Sequence, residues 1–149
     1  MRPAKPTPTQ VLLDTSALLT HFLDEPGADI VEGHLALGPD HARVAAPTVA
    51  ELERRLADLL RDEAERDGIL HQYCHQLCSV VAIDQAAAEA SIRLRRQCRE
   101  RLPMVDALIA GCALLHGFVL VHRDDHLASI PKATLRQVSL PSRGIARRQ

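Results

Sequence analysis

The chain of 149 residues is poor in aromatic side chains, which make up 2% of it, and it contains no Trp. Single-stranded nucleic acids are commonly bound by stacking their bases on such side chains, so this mode of binding is disfavoured. The formal net charge is −1, and no global field therefore attracts a polyanion. If the chain binds nucleic acid, the interaction must depend on a local site.

Long apolar runs are also lacking. No run has the length that a bilayer span requires, and the Pro-rich start contains no apolar leader segment. The cysteines fall in helical patterns rather than in a disulfide framework; they are Cys74, Cys78, Cys98 and Cys112. We therefore expect a cytoplasmic protein with reduced thiols and no membrane partner.

The length and an ordinary composition, 46% hydrophobic and 25% charged, suit one globular domain. We predict a single domain over residues 1–149, with a core at about 10–140 and a short tail at each end. The N-terminal tail is Pro-rich. The C-terminal tail is basic, with Arg143, Arg147 and Arg148, and is either a solvated end or an arm that contacts phosphates or a partner.

Short apolar segments alternate with helical patterns along most of the chain. Strands are predicted at residues 11–13, 43–46, 79–83 and 118–121, with an edge strand at 135–140. Helices are predicted at residues 15–24, 28–37, 47–67, 69–77, 85–99, 104–116 and 124–130, with Gly68 as the break between the third and the fourth. This alternation predicts an α/β fold, a three-layer α/β/α sandwich with a mainly parallel central sheet.

Four acidic residues occupy the ends of predicted strands or the starts of predicted helices. Asp14 and Asp124 follow strands, while Glu51 and Asp106 lie in the first turns of helices. Because strand ends and helix starts share one rim of a parallel sheet, all four carboxylates are expected in one cleft. Converging carboxylates repel each other, and a divalent cation relieves that repulsion. A set of oxygen ligands favours Mg²⁺ or Mn²⁺.

Each acid also has a purely structural interpretation. Asp14 can cap the helix that follows it, and either Asp124 or Asp125 can cap the short helix after the last long strand. Thr48 and Glu51 fit a capping box, with Glu51 as its third helical residue. Asp106 can complement a helix dipole, but it opens a helix that is otherwise apolar, where an unpaired buried carboxylate is costly.

Four segments of the chain, taken in order, resemble the motifs of PIN domains. They are VLLDTSA at 11–17, APTVAEL at 46–52, LPMVDALIA at 102–110 and LVHRDDHL at 120–127. The resemblance extends from about Val11 to Pro131 and is strongest to the VapC-like ribonuclease toxins of bacterial type II toxin–antitoxin systems.

This resemblance implies an endoribonuclease that depends on Mg²⁺ or Mn²⁺ and hydrolyses RNA phosphodiester bonds with a metal-activated water. It implies that Asp14, Glu51, Asp106 and Asp124 are the catalytic metal ligands, and that Thr15 or Ser16 helps to hold the site. It further implies a homodimer, a cognate antitoxin as partner, and products with a 3′-hydroxyl and a 5′-phosphate.

The fourth segment departs from the family pattern. His122 stands in place of a Thr, His126 in place of a second Asp and Leu127 in place of a Phe. The second carboxylate can instead come from Asp125, and the sequence does not decide between Asp125 and His126. Three arginines are either phosphate contacts or ordinary surface residues, namely Arg95, Arg99 and Arg123.

Other functions remain as alternatives. The main one is a catalytically silent PIN-like module that docks a protein or RNA partner, which the altered fourth segment favours. A zinc site is a weaker alternative, built from His71, Cys74, His75 and Cys78 on one helical stripe. It is disfavoured because the first and last of these residues lie roughly 10 Å apart along a helix. An aspartyl-phosphate phosphatase is disfavoured because Ser16 occupies the place of its second Asp.

Overall fold

The computed structural model describes residues 9–142. The strands are β1 (Val11–Leu13), β2 (Ala42–Ala45), β3 (Ser79–Val81), β4 (Val119–His122) and β5 (Gln137–Ser139). The helices are α1 (Thr15–Phe22), α2 (Ala28–Leu35), α3 (Ala46–Leu59), α4 (Glu63–His71), α5 (Gln85–Arg96), α6 (Met104–His116) and α7 (Asp125–Ala128), with a π-helix at Gln72–Leu77 between α4 and β3.

The five strands form one parallel sheet in the order β3-β2-β1-β4-β5. The chain adds strands on one side of β1 as far as β3 and then crosses to the other side with β4. The strand order therefore reverses between β1 and β4, where Leu13 pairs with Val121. In sheets of this kind, ligands bind outside the carboxyl ends of the strands at such a switch point.

Side chains of β1 alternate between two hydrophobic cores, as the two faces of a strand require. Val11 and Leu13 pack with residues of α1, α2, α3 and the π-helix, whereas Leu12 packs with residues of α5, α6 and α7. The sheet is thus covered by helices on both faces. The predicted three-layer α/β/α sandwich with a parallel central sheet is confirmed.

Helices α5 and α6 approach each other closely at Gly111. A Cβ atom at this position would lie 2.6 Å from the backbone nitrogen of Ser91 and 2.8 Å from the carbonyl oxygen of Ala87. Only a residue without a side chain fits here. Three other small residues of these two helices, Ala87, Ala90 and Ala110, are also fully buried. This contact fixes α6, and with it Asp106, relative to α5.

The predicted long helix at residues 47–67 is wrong. Helix α3 ends at Leu59, Leu60 is extended, and α4 begins after Asp62. The carboxylate of Asp62 accepts a hydrogen bond from the backbone N–H of Ala64 at 3.0 Å and caps the new helix. Gly68, the expected break, lies inside α4 on the solvent side, where a glycine costs only about 1 kcal/mol.

Other boundaries differ by a few residues. Strand β3 stops at Val81 rather than at residue 83, α5 stops at Arg96 rather than at residue 99, and α2 stops at Leu35. The basic tail at Arg143, Arg147 and Arg148 and most of the Pro-rich start lie outside the described residues. Between residues 9 and 142, no helix combines the length and the apolar character that crossing a membrane requires.

The Gly111 contact yields a test of the packing that positions α6. Gly111→Ala is expected to lower the free energy of unfolding by about 3 kcal/mol, the upper part of the range for overpacked cores, because the new methyl group meets backbone atoms that cannot rotate away. Gly33→Ala, in the middle of α2, is the matched control, since no atom of the described residues lies within 4 Å of a Cβ atom built there. It is expected to raise the stability by up to about 1 kcal/mol.

Urea unfolding followed by circular dichroism measures both variants. Equal stabilities for the Gly111 and Gly33 variants would show that α5 and α6 do not depend on this close approach.

Candidate functional site

The carboxyl ends of β1 and β4 are held side by side. The backbone N–H of Asp14 donates to the carbonyl oxygen of Val121 at 3.0 Å. The first residues after these two strands include Asp14 and Asp124, so the fold brings both acids to the switch point of the sheet. A cleft of about 440 Å³ opens there and is lined by Asp14, Thr15, Ser16, Leu19, Glu51, Arg55, Arg123, Asp124, Asp125 and Ser142.

Asp14 is the most buried acid of the site, with an exposed fraction of 3%. Its Oδ2 accepts hydrogen bonds from the hydroxyl of Ser16 at 2.8 Å and from the backbone N–H of Ser16 at 3.3 Å, so Asp14 does cap α1. Its Oδ1 is buried and makes no hydrogen bond to the described part of the chain. A buried carboxylate oxygen without a partner is costly, which marks this atom as a candidate ligand.

Burial raises the pKa of Asp14 above its ordinary value. The hydrogen bonds from Ser16 oppose this rise, and the nearby charges of Glu51 and Asp124 add to it. The carboxyl group is therefore held in surroundings that disfavour its charge.

Ser16 connects the ends of the two strands. Its hydroxyl accepts a hydrogen bond from the backbone N–H of Arg123 at 2.8 Å and donates one to Asp14 Oδ2. Ser16 therefore fixes the rotamer of Asp14 relative to β4. The neighbouring Thr15 is buried, and its hydroxyl has no hydrogen-bond partner among residues 9–142.

Asp106 lies in the first turn of α6 and is partly buried. Its pKa is raised to about 6, first by burial and then by the charges of Asp124, Asp14 and Glu51, while His126 lowers it. Asp106 does not line the cleft itself. It nevertheless interacts electrostatically with the other three acids, so the fold gathers all four.

The structural alternative for Glu51, a capping box with Thr48, does not form. Helix α3 already begins at Ala46, so Glu51 lies in its second turn. Thr48 is fully buried, and its hydroxyl is without a hydrogen-bond partner in the described residues. Glu51 instead lines the cleft and raises the pKa of both Asp14 and Asp106.

Asp124 caps α7, as its structural interpretation predicted. Its Oδ1 accepts hydrogen bonds from the backbone N–H groups of His126 at 2.8 Å and Leu127 at 3.1 Å. The cap fixes where the carboxylate lies without occupying both of its oxygens. Asp124 therefore combines a structural role with a place in the acidic cleft.

The side chains of the two residues after Asp124 lie in different parts of the site. Asp125 lines the cleft, whereas His126 lies close enough to Asp106 to lower the pKa of that carboxyl. Asp125 is thus the better placed of the two to supply a second carboxylate from this segment. Both side chains are exposed.

Two features of the site escaped the sequence analysis. His122 is fully buried. Its Nδ1 accepts a hydrogen bond from the backbone N–H of Asp124 at 3.1 Å, and its Nε2 donates one to Gln137 Oε1 at 2.8 Å. Arg123 is not a surface residue, because its Nη2 lies 2.6 Å from a carboxylate oxygen of Glu25 and only 11% of its side chain is exposed. His122 continues a run of buried residues in β4, as expected for a strand inside a parallel sheet. No neighbouring residue signals the pairing of Arg123 with Glu25.

The alternative zinc set does not converge. Cys74 and Cys78 are buried, whereas His71 and His75 are exposed, with ring centroids 5.2 Å apart. The regular helical stripe is also lost, because the backbone changes to a π-helix at Gln72. These side chains therefore point to different surroundings.

The donor set of the acidic site fits a divalent cation. All of its candidate ligands are oxygen atoms, which hard cations such as Mg²⁺ and Mn²⁺ prefer. With the side chains as they stand, no three His, Cys, Asp or Glu residues between 9 and 142 come close enough to share one ion. The charges of Glu51 and Asp124 raise the pKa of both Asp14 and Asp106, so the acids are neighbours, and a shared ion requires their side chains to move closer together.

Comparisons with known proteins agree with this architecture. Residues 11–133 match the PIN domain family. No curated protein sequence is detectably similar to the chain. The fold is shared with a chain of VapBC2 from Rickettsia felis, solved bound to a DNA fragment from their promoter, at a TM-score of 0.69 and 15% identity; the match covers 88% of this chain and 98% of that one.

Two further solved structures have the same fold. One is a toxin–antitoxin complex from Klebsiella pneumoniae, with a TM-score of 0.63 and 23% identity over 89% of this chain and 99% of that chain. The other is VapBC-5 from Mycobacterium tuberculosis, a member of the VapBC family of toxin–antitoxin systems, with a TM-score of 0.64 and 22% identity over 89% of this chain and 100% of that chain.

The sheet order and the acids at its switch point define an α/β protein with an acidic site between β1 and β4. The match over residues 11–133 identifies it further: the chain belongs to the PIN domain family.

The raised pKa of Asp106 makes the stability of the cation-free protein depend on pH. The folded pKa, about 6, lies above the ordinary value of 3.8. The protonated carboxyl thus favours the folded state fully below about 3.8, and this contribution is lost as pH rises through 6. Asp106→Asn mimics the neutral form. It is expected to raise Tm at pH 7.5 by roughly 2–4 °C, equivalent to about 1 kcal/mol after screening of this partly exposed group.

Thermal unfolding in EDTA at pH 7.5 and pH 4.0 measures this effect, and the gain should vanish at pH 4.0. Asp67→Asn, an exposed change in α4 away from the site, is the control and should leave Tm unaltered at both pH values. A Tm gain for Asp106→Asn that is the same at both pH values would contradict the repulsion among the acids.

Proposed function

We propose that the chain is an endoribonuclease dependent on Mg²⁺ or Mn²⁺ and acts as the toxin of a toxin–antitoxin pair. The observation that carries the proposal is the set of four carboxylates at the switch point of a PIN domain, where the charges of Glu51 and Asp124 raise the pKa of Asp14 and Asp106. A bound divalent cation relieves this repulsion, and without it the carboxyl groups that are raised in pKa are more readily protonated.

The ligands proposed for the cation are Asp14, Glu51, Asp106 and Asp124, with Asp125 as an auxiliary carboxylate. Asp14 presents Oδ1, the buried oxygen without a hydrogen-bond partner among the described residues, while Ser16 holds Oδ2. When bound, a divalent cation supplies the positive charge and the Lewis acidity that hydrolysis of a phosphodiester needs.

The remaining roles fall to the chain itself. Ser16 keeps Asp14 oriented, and the hydroxyl of Thr15, which has no hydrogen-bond partner among residues 9–142, is available to a ligand of the cleft. Arg55 and Arg123 line the same cleft. Arg55 is exposed and is proposed to contact a phosphate of the substrate, whereas Arg123 is held by its ion pair with Glu25. Water attacks the phosphorus, the bond to the 3′-oxygen breaks, and the products carry a 3′-hydroxyl and a 5′-phosphate.

The biological setting is proposed from the relatives. Structures with this fold include VapBC proteins and a toxin–antitoxin complex. We accordingly propose a cognate antitoxin as the protein partner, a homodimer as the assembly and the cytoplasm as the location. The free thiols of the four cysteines suit a reducing compartment.

The second candidate is a catalytically silent PIN domain that docks a protein or RNA partner. One observation favours it: His126 replaces a carboxylate of the family motif and lies beside Asp106. A docking domain has no need for cation binding, and this difference separates the two functions.

The nuclease proposal predicts that the purified protein cleaves a single-stranded RNA with Mg²⁺ or Mn²⁺ and not with EDTA. Asp14→Asn is expected to lower the cleavage rate by more than about 100-fold, because losing a residue that only supports a ligand already costs about 10–100-fold. Asn can still accept the hydrogen bonds of Ser16, so the variant should fold.

Gel assays of cleavage and isothermal titration with Mn²⁺ measure the two properties separately. Asp67→Asn is again the matched control and should cleave like the wild type. Cation binding without cleavage of any tested RNA would indicate a narrow target, whereas a folded wild type that neither binds Mn²⁺ nor cleaves would favour the docking domain.

A further inference from the structure

A second cleft, of about 560 Å³, lies between the C-terminal part of α5 and the segment that leads into α6. We call it the arginine cleft. It is lined by Ile92, Arg95, Arg96, Cys98, Arg99, Glu100, Arg101 and Leu102. Nothing in the acidic site accounts for it, because the two clefts share no residue.

The arginine cleft concentrates positive charge in a chain whose formal net charge is −1. Four arginines line it against the single acid Glu100, and all four are exposed. None of these guanidinium groups forms an ion pair or a side-chain hydrogen bond within residues 9–142. Their charge is therefore available to a ligand.

The helix dipole explains only part of this arrangement. Arg95 and Arg96 lie in the last turn of α5, where a cation stabilises a helix. Arg99 and Arg101 lie beyond the end of α5 and gain nothing from its dipole. A ligand that spans the cleft accounts for both pairs together.

The arginine cleft lies near the acidic site. Leu102 lines it and precedes Asp106 by four residues, so the two Cα atoms are at most about 14 Å apart even along a fully extended chain. An acidic site repels a polyanion until cations neutralise it, and a neighbouring positive surface is what holds such a ligand in place.

We propose that the arginine cleft binds the phosphate backbone of single-stranded RNA on one side of the scissile bond. The inference rests on the proposed nuclease function and names the surface by which the substrate is held. Since aromatics make up only 2% of the chain, guanidinium planes are the groups on which an unstacked base can lie. Ile92, Cys98 and Leu102 supply an apolar floor for a ribose or base between these planes.

An acidic protein segment is the competing ligand. RNA is the better match, because it presents one phosphate per nucleotide together with flat bases, and the cleft offers guanidinium groups around an apolar floor. A run of carboxylates would pair with the guanidinium groups and make no contact with the apolar floor.

The test measures RNA binding apart from cleavage. All proteins carry Asp14→Asn, so that a 5′-fluorescein-labelled 15-nucleotide oligouridylate stays intact. The cleft variant adds Arg95→Ala, Arg99→Ala and Arg101→Ala. The matched control adds Arg54→Ala, Arg61→Ala and Lys132→Ala, three exposed positions that remove the same charge elsewhere.

Fluorescence anisotropy in 50–300 mM NaCl gives the affinity and its dependence on salt. The cleft variant is expected to bind the RNA at least about 10-fold more weakly, and its salt slope should be smaller by about 2, since each single-strand phosphate contact contributes about 0.7. The control should lose less than about 3-fold, because its three residues do not line the cleft and add only longer-range charge that salt screens. Circular dichroism verifies that each protein is folded.

Three results would overturn the inference: RNA affinity equal in the cleft variant and its parent, equal losses in both triple variants, or no RNA binding by the parent. A fluorescein-labelled decaglutamate that the parent binds and the cleft variant releases, with RNA affinity unchanged, would instead assign the cleft to an acidic protein segment. Mn²⁺-dependent cleavage by wild type is measured in parallel. If wild type does not cleave RNA but binds it through the arginine cleft, the result would count against the nuclease function and still support the assignment of the cleft.

Discussion

The parallel pairing of β1 with β4 is the constraint on which the site depends. It sets Leu13 against Val121 and lets the backbone of Asp14 bond to the same strand. Ser16 extends this connection past the strand ends by joining Arg123 to Asp14. Both acids lie at the carboxyl rim that all strands of the parallel sheet share, and the reversal of strand order between β1 and β4 opens the crevice between them.

The packing that stabilises the fold also opposes the charges that it assembles. Burial of Asp14 and Asp106 raises their pKa, and the proximity of Glu51 and Asp124 raises it further. The close contact at Gly111 holds α6, and with it Asp106, in this unfavourable position. Strongly perturbed pKa values of this kind cluster at functional sites.

Much of this arrangement was predictable because its signals are local. Apolar runs followed by an acid placed Asp14 and Asp124, and the apolar pattern after Pro103 placed Asp106 in α6. The break between α3 and α4 was not predictable from Gly68, since the cap at Asp62 decides it. The burial of Arg123 depends on Glu25, almost a hundred residues earlier in the chain, and no pattern of neighbouring residues reports such a partner.

The central claim is that the four carboxylates form one cation site whose ionisation is linked to binding. Isothermal titration of wild type with Mn²⁺ at pH 6.0, in two buffers of different ionisation enthalpy, tests it most directly. Because the pKa of Asp106 is about 6 and that of Asp14 is raised, binding should release protons at pH 6.0 and release fewer at pH 8.0. Mn²⁺ binding with no release of protons at pH 6.0, or no binding at all, would contradict the account.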